Sequence, residues 1–356
     1  MKKILLASVA LTAFAGAAAA EVSFSGSATL GYNNDVAGDY DGYYWESTLS
    51  AGMEQALDNG LTAGVKVNVD LADSGDTASN ANAADLTSDD FVVYVKSDVA
   101  SLTYGDTGTA AGAHWKSAGD MEADGFTSDW TDFTNGQAVL RGDVTFGAVS
   151  ASVSGVVVAN QLEATSIGAT VDAGAASIAL AYEEATTIAA AAGGDANTAE
   201  TLGVSASFAA AGANIVVAYS DNSTNTSTGV KVTYPMGDVT VAAYYVDESN
   251  GDANLGLNVA YAAGPVSVAA DVQDDQGTTK TAIDASYDMG NGLTLMAGYY
   301  DVEGWADAET YLAASYDLGG GASLLVSHVG TDAENDDEVG AGDYQLGTTI
   351  ELSFAF

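Results

Sequence analysis

The sequence has 356 residues, with 49 Asp and Glu against 8 Lys and Arg, 41 Gly, 2 Pro and no Cys. A net charge of −41 excludes electrostatic capture of nucleic acid, and the lack of Cys with only two His excludes disulfide scaffolds and the common zinc sites. With 47% apolar and 16% charged residues, the acidity does not mark a disordered chain.

The first twenty residues read as a separate object. Lys2 and Lys3 precede an apolar run from Ile4 to Ala15, and small residues follow as far as Ala18-Ala19-Ala20. This predicts a secretory signal peptide over residues 1–20, with Glu21 as the mature N-terminus and residues 21–356 as one domain. Removing it takes away two lysines and no acid, so the remainder carries −43. No later apolar run approaches the ~20 residues of a spanning helix, so any membrane crossing must use strands.

From Glu21 onward the period is two. Val22, Phe24, Gly26, Ala28, Leu30 and Tyr32 alternate with Ser23, Ser25, Ser27, Thr29 and Gly31. Leu61 to Leu71 repeats the pattern, and so does Tyr344 to Phe356. Such alternation makes a strand with one apolar and one polar face. Twenty segments follow this rule: 22–32, 43–56, 60–72, 89–97, 99–105, 137–146, 148–159, 163–172, 174–184 and 199–209 in the first half. The rest are 212–221, 227–234, 237–247, 253–262, 264–273, 279–288, 292–302, 307–318, 321–330 and 343–356. No helical period competes with them.

The connections alternate in length. Asp58-Asn59-Gly60, Gly147, Pro235-Met236-Gly237, Gly264-Pro265, Asp288 to Gly292 and Gly319-Gly320-Gly321 are tight turns. Residues 33–42, 73–88, 106–136, 185–198, 247–252 and 331–342 are longer and acidic. Short turns at one end and long polar loops at the other describe a transmembrane antiparallel up-and-down β-barrel with an even strand number. Aromatics on the apolar parity fall near strand ends. Phe24, Phe146, Phe208, Tyr234, Tyr261, Tyr287, Tyr316 and Phe356 lie at the short-turn end. Tyr32, Tyr43, Trp45, Phe91, Tyr104, Tyr182, Tyr219, Tyr245, Tyr299 and Tyr344 lie at the other. Two aromatic belts are what a bilayer selects. Lys66, Lys96, Arg141, Lys231 and Lys280 all take the polar parity, as do Glu46, Asp70, Asp143, Asp271, Asp284 and Glu351.

With these features the chain resembles the general diffusion porins of Gram-negative bacteria, particularly the alphaproteobacterial type. The residues that carry the likeness are Met1 to Ala7, Glu21 to Ala28, the Asp288–Gly292 and Asp317–Gly321 turns, and the terminal Phe356. The resemblance implies location in the cell outer membrane among lipid and lipopolysaccharide, and a homotrimer with a water-filled pore in each subunit. It also implies recognition of the last strand by the barrel assembly machinery, for which Leu352, Phe354 and Phe356 fit the pattern. Family members usually have sixteen strands; the count here is twenty.

In that family the third external loop folds into the lumen. Here the third long connection, 106–136, is also the longest, with Asp106, Asp120, Glu122, Asp124, Asp129 and Asp132 against Lys116. Trp115, Phe126, Trp130 and Phe133 would pack it on the inner wall rather than face water. Lys66, Lys96 and Arg141 on flanking strands, with Glu46, complete a candidate constriction. The alternatives are an external flap packed on itself, and cations that only neutralise Glu46, Asp70 and Asp143. Carboxylates in a narrow pore favour cations, so passive, cation-selective diffusion of small hydrophilic solutes and ions is expected.

No enzyme is expected, because His114 and His328 have no nucleophile or paired acids at a catalytic spacing. No cofactor is expected either. Asp35, Asp39 and Asp41, or Asp332, Glu334, Asp336, Asp337 and Glu338, could hold calcium by oxygen ligands, without an established calcium-loop spacing. The competing class is an acidic secreted β-rich surface or adhesive protein without channel activity.

Overall fold

The computed structural model describes residues 21–34, 42–73, 87–126, 138–158, 161–185, 199–330, 338–339 and 344–356. The signal-peptide expectation for 1–20 lies outside these residues. So do Asp129, Trp130, Asp132 and Phe133, and the calcium candidates apart from the backbone of Glu338.

The strands are β1 (Glu21–Asn33), β2 (Gly42–Ala56), β3 (Thr62–Asp73), β4 (Thr87–Lys96), β5 (Ala100–Gly105), β6 (Ala138–Phe146) and β7 (Val149–Val158). Next come β8 (Gln161–Asp172), β9 (Ala176–Glu183), β10 (Thr201–Ala210), β11 (Ala213–Asp221), β12 (Thr226–Met236), β13 (Val239–Glu248) and β14 (Asn254–Ala263). The chain finishes with β15 (Val266–Asp275), β16 (Thr278–Asp288), β17 (Leu293–Val302), β18 (Glu309–Gly319), β19 (Ala322–Val329), β20 (Glu338–Val339), β21 (Tyr344–Gln345) and β22 (Gly347–Ala355). Strands β1 to β19 and β22 form one twenty-stranded antiparallel sheet; β20 and β21 pair only with each other. Each wall strand pairs with its chain neighbours, β19 pairs with β22, and β22 pairs with β1. The sheet is therefore a closed barrel of twenty strands, the number the alternation gives.

Closure matters because a sheet edge in hydrocarbon would leave backbone N–H and C=O groups without water or partner. At the seam Phe356 N donates to Gly26 O and Gly26 N donates to Phe356 O, both at 3.0 Å. The outer face is apolar: Phe146 is 85% exposed, Leu312 65% and Phe24 61%, with dozens of Val, Leu, Ile and Tyr side chains beside them. Each such side chain gains roughly 1.5–3 kcal/mol on leaving water, so this surface belongs in lipid. All eight aromatics expected at the short-turn end are exposed, as are Tyr32, Tyr43, Trp45, Tyr219, Tyr245 and Tyr299 at the other.

Two expectations are corrected. Tyr344 is not in the outer belt: it is 8% exposed and stacks inside the barrel on Tyr311, ring centroids 4.8 Å apart. The last wall strand starts at Gly347, whose φ of +84° bends the chain and reverses the faces that the unbroken alternation suggests. Among the described residues there is also one short helix, α1 (Ala110–His114), where no helical period is visible. Among the described residues no helix is long and apolar enough to cross a membrane.

Candidate functional site

The chain leaves the wall at Gly105. Its φ of +131° turns the backbone inward, Asp106 N donates to Phe91 O at 2.9 Å, and a Cβ at 105 would lie 2.0 Å from that carbonyl. Only glycine fits there. Arg141 Nη1 then donates to Gly108 O at 2.8 Å. Thr109 caps α1 by accepting from Gly112 N at 3.3 Å, and donates its own hydroxyl proton to Glu183 Oε2 at 2.7 Å. The first helical N–H groups have no intrahelical partner, and the wall supplies them: Ala110 N donates to Ser154 Oγ and Ala111 N to Ser166 Oγ, each at 2.8 Å. Gly168 leaves the space for this contact, since a Cβ there would lie 2.1 Å from Ala110 O.

A polar chain extends from this anchor. Arg141 Nε lies 3.1 Å from Asp143 Oδ1, Ser101 and Ser152 donate to Asp143 at 2.9 and 2.7 Å, and His114 Nε2 is 2.9 Å from Ser152 Oγ. Ser152 spends its proton on Asp143, so His114 Nε2 carries the hydrogen and Nδ1 accepts from Thr170 Oγ1 at 2.8 Å. Burial pushes the His114 imidazole below its ordinary pKa, opposed by the Asp143 charge. The ring is thus a neutral structural tie.

The second half of the loop lies further round the wall. The Trp115 and Phe126 rings pack together, centroids 5.0 Å apart, above Gly203 of β10. Ala118 and Met121 are buried against Ala218 of β11 and Val246 of β13. Ala123 N donates to Ser227 Oγ at 2.9 Å, Glu122 N to Glu248 Oε1 at 3.1 Å, and Asn254 Nδ2 to Asp120 O at 3.1 Å. From β7 to β14, then, the loop lines the inside of the barrel. Its carboxylates gather at the far end, where Asp120, Glu122 and Asp275 of β15 each bring an oxygen within 4.8 Å of the others. Burial and the Asp275 charge raise the Asp120 carboxyl above its ordinary pKa, partly offset by Lys280. Burial likewise raises Asp124, although Trp115 Nε1 donates to its Oδ2 at 3.0 Å.

A closed wall with an acidic loop inside it now has its counterpart among known proteins: a family model described as Gram-negative porin matches residues 7–254. The chain belongs to the Gram-negative porin family. It is an outer-membrane channel protein, not an enzyme. Among solved structures this porin is similar to engineered variants of the porin from Rhodopseudomonas blastica. One is 16% identical, with TM-score 0.46, covering 95% of this chain and 100% of the other. Another is 14% identical, with TM-score 0.45 and coverages of 94% and 100%. No curated protein matches the sequence.

The candidate residues of the porin fall into three groups. Asp106, Lys116, Asp120, Glu122 and Asp124 are on the infolded loop, and Arg141 stands at its foot, paired with Asp143 as the neutralising alternative expects. Lys66 and Glu46 are exposed, on β3 and β2, with no ion-pair partner among the described residues. In a ring of twenty strands β3 lies ten strands from β13, so Lys66 stands on the wall opposite the strand that holds Glu122. Lys96 is elsewhere: it ends β4 at the short-turn mouth and pairs with Glu54 at 2.8 Å.

Alternation alone does not reveal the wall residues that hold the loop. Glu183, read as the end of strand 174–184, and Glu248, read in the acidic connection 247–252, are both almost fully buried. Nor does it reveal the large rings on the polar face. Tyr44, Tyr94, Tyr244 and Tyr311 each lie over the glycine directly opposite in the next strand: Gly31, Gly64, Gly256 and Gly298. The only available signal is a tyrosine on the polar parity opposite a glycine, and it needs the register to be seen.

Proposed function

We propose that this porin forms a water-filled, cation-preferring pore through which small hydrophilic solutes and ions diffuse passively across the outer membrane. The observation that carries this reading is the loop of net negative charge lying against β7–β14 while Lys66 stands on the opposite wall. An acidic rim in a narrow passage concentrates cations and repels anions, and a cation across from it sets a transverse field. The side bearing the long connections is the external side, the short turns face the periplasm, and three copies assemble as a homotrimer. Leu352, Phe354 and Phe356 serve as the recognition strand for the assembly machinery.

The test is conductance in planar bilayers. Purified protein inserts in steps, in multiples of three, and a KCl gradient gives a reversal potential of cation sign. Replacing Asp120→Asn, Glu122→Gln and Asp124→Asn together reduces that potential. Anion preference in the unmodified pore would overturn the selectivity, and unchanged selectivity in the triple variant would remove the loop as its source.

A further inference from the structure

Toward the short turns from the loop's acidic end, on the lumen face of β14 to β18, the wall holds a cavity of about 370 Å³, within the size range of small-molecule sites. Its floor is made of small side chains: Ala260 and Ala262 on β14, Ser267 and Ala269 on β15. One side is large and apolar, built from Met296, Tyr311 and Tyr344. The hollow exists because small residues on β14, β15 and β16 abut Met296 of β17, Tyr311 of β18 and Tyr344 of β21.

Its polar equipment is specific. Tyr311 hydroxyl donates to Asp284 Oδ1 at 2.6 Å, and Tyr344 hydroxyl donates to Met296 Sδ at 3.1 Å. Tyr311 can lie flat because residue 298 is glycine: a Cβ there would be 2.1 Å from the ring and 2.8 Å from Asp284 Oδ1. Tyr311 and Tyr344 are held in turn by Ala313 and Val329, with Leu325 and Leu346 behind them. The site is therefore two packed tyrosines that present little more than their edges, a thioether, and a carboxylate that keeps one oxygen for a further donor. Asp284 is four residues beyond Lys280 along β16, about 13 Å toward the short-turn end, so the cavity sits on the periplasmic side of the loop.

We infer that this cavity binds small organic cations that carry an aromatic ring, the ring seated on Ala260 and Ala269 beside Tyr311 and Tyr344, and the ammonium on Asp284. The apolar lining selects a ring over a polyol, and the Asp284 carboxylate selects an ammonium over a neutral or anionic head. The inference rests on the lumen being a conducting pore only for its electrical readout.

The probe is phenethylammonium added to pores conducting KCl, with ethylammonium as the charge-matched control and benzyl alcohol as the neutral one. Phenethylammonium reduces the current at concentrations about tenfold or more below ethylammonium, and benzyl alcohol blocks no better than ethylammonium. Asp284→Asn keeps the acceptor for Tyr311 and removes the charge; Ala269→Phe fills the floor. Each raises the half-blocking concentration about tenfold while leaving KCl conductance nearly unchanged, and Ala260→Leu serves if Ala269→Phe does not fold. Equal block by phenethylammonium and ethylammonium, or block unaffected by both variants, overturns the inference. Pores that do not conduct overturn the channel reading instead; saturation-transfer NMR of phenethylammonium on detergent-solubilised protein then still reads the cavity, and absence of transfer overturns the site.

Discussion

Tyr44 lies over Gly31. The two are directly paired across β1 and β2, a Cβ at Gly31 would fall 2.0 Å from the Tyr44 ring, and the tyrosine hydroxyl reaches past it to donate to Glu351 Oε2 of β22 at 2.7 Å. One side chain of β2 thus ties together the first and last strands at the point where the barrel closes.

Gly31→Val should therefore destabilise the barrel by about 1–3 kcal/mol through overpacking. Tyr44→Phe, which keeps the ring and loses the bond to a carboxylate, should cost about 1–3 kcal/mol as well, but without displacing the ring. Thermal unfolding of the detergent-solubilised protein, followed by near-UV circular dichroism, checks both. An unshifted transition in Gly31→Val would show that the ring does not hold the seam.

The loop's first anchor is tested at Gly168. A valine there collides with Ala110 O and the His114 ring. An overpacking cost of about 1–3 kcal/mol shifts the docked equilibrium of the loop by roughly tenfold or more. Single-channel conductance should rise and become noisier, with the same thermal unfolding of the wall. A quiet channel of unchanged conductance would mean that α1 is not seated by this contact.

Cation preference should titrate early. Asp120 and Asp124 both have carboxyl groups raised above the ordinary aspartate value of about 3.9. As pH falls from neutral they take up protons before exposed aspartates do, and the loop loses charge. The midpoint for loss of cation preference should lie above about 3.9 and move down in the double variant Asp120→Asn, Asp124→Asn. The stability sign is opposite to that of a salt-bridged acid. In the window between unfolded and folded values the folded chain binds more protons, so docking of the loop weakens as pH rises through that window and is strongest below it. Reversal potentials and proteolytic protection of the loop, both measured across pH, read the two effects separately.

Lys66 and Lys96 separate field from bulk charge. Both variants, Lys66→Glu and Lys96→Glu, change net charge equally. Lys66→Glu should increase the cation preference more, because Lys66 stands on the wall opposite β13 with no ion-pair partner among the described residues, whereas Lys96 is ion-paired with Glu54 at the mouth. Equal effects in a KCl gradient would reduce the transverse field to simple charge counting.

The barrel was legible because lipid enforces a period of two on every strand and punishes a charge on the outer face. Lys66, Arg141, Lys231 and Lys280 could be placed on the lumen face from parity alone, and Trp115 and Phe126 on the inner wall from their hydrophobicity. What parity could not carry was anything that breaks it. Leu346 and Gly347 turn Tyr344 inward in the middle of an unbroken alternation, so a lumen residue read as a lipid residue. Contacts across strands were equally hidden. Glu248 receives Glu122 N from a loop 126 positions away, and Gly298 matters only because Tyr311 is opposite. The place of Lys96 at the mouth is hidden for a related reason: parity gives the face and says nothing of height along the strand.

The tether of the loop sets its length. Between Ala110 on β7 and Glu122 on β13 the wall runs for six strand spacings, roughly 29 Å measured across the strands. The twelve intervening steps include a helical turn that advances only about 1.5 Å per residue, which leaves a span of roughly 34 Å at full stretch. The segment spends part of that length on bends at 118–120 and a turn at 122–123, where Ala118 and Met121 are buried against β11 and β13. Its two ends are held at glutamates on β9 and β13, so a wider cylinder or a shorter strap would first straighten these bends and lift both side chains off the wall, and the girth of this channel is coupled to its inner segment through that packing.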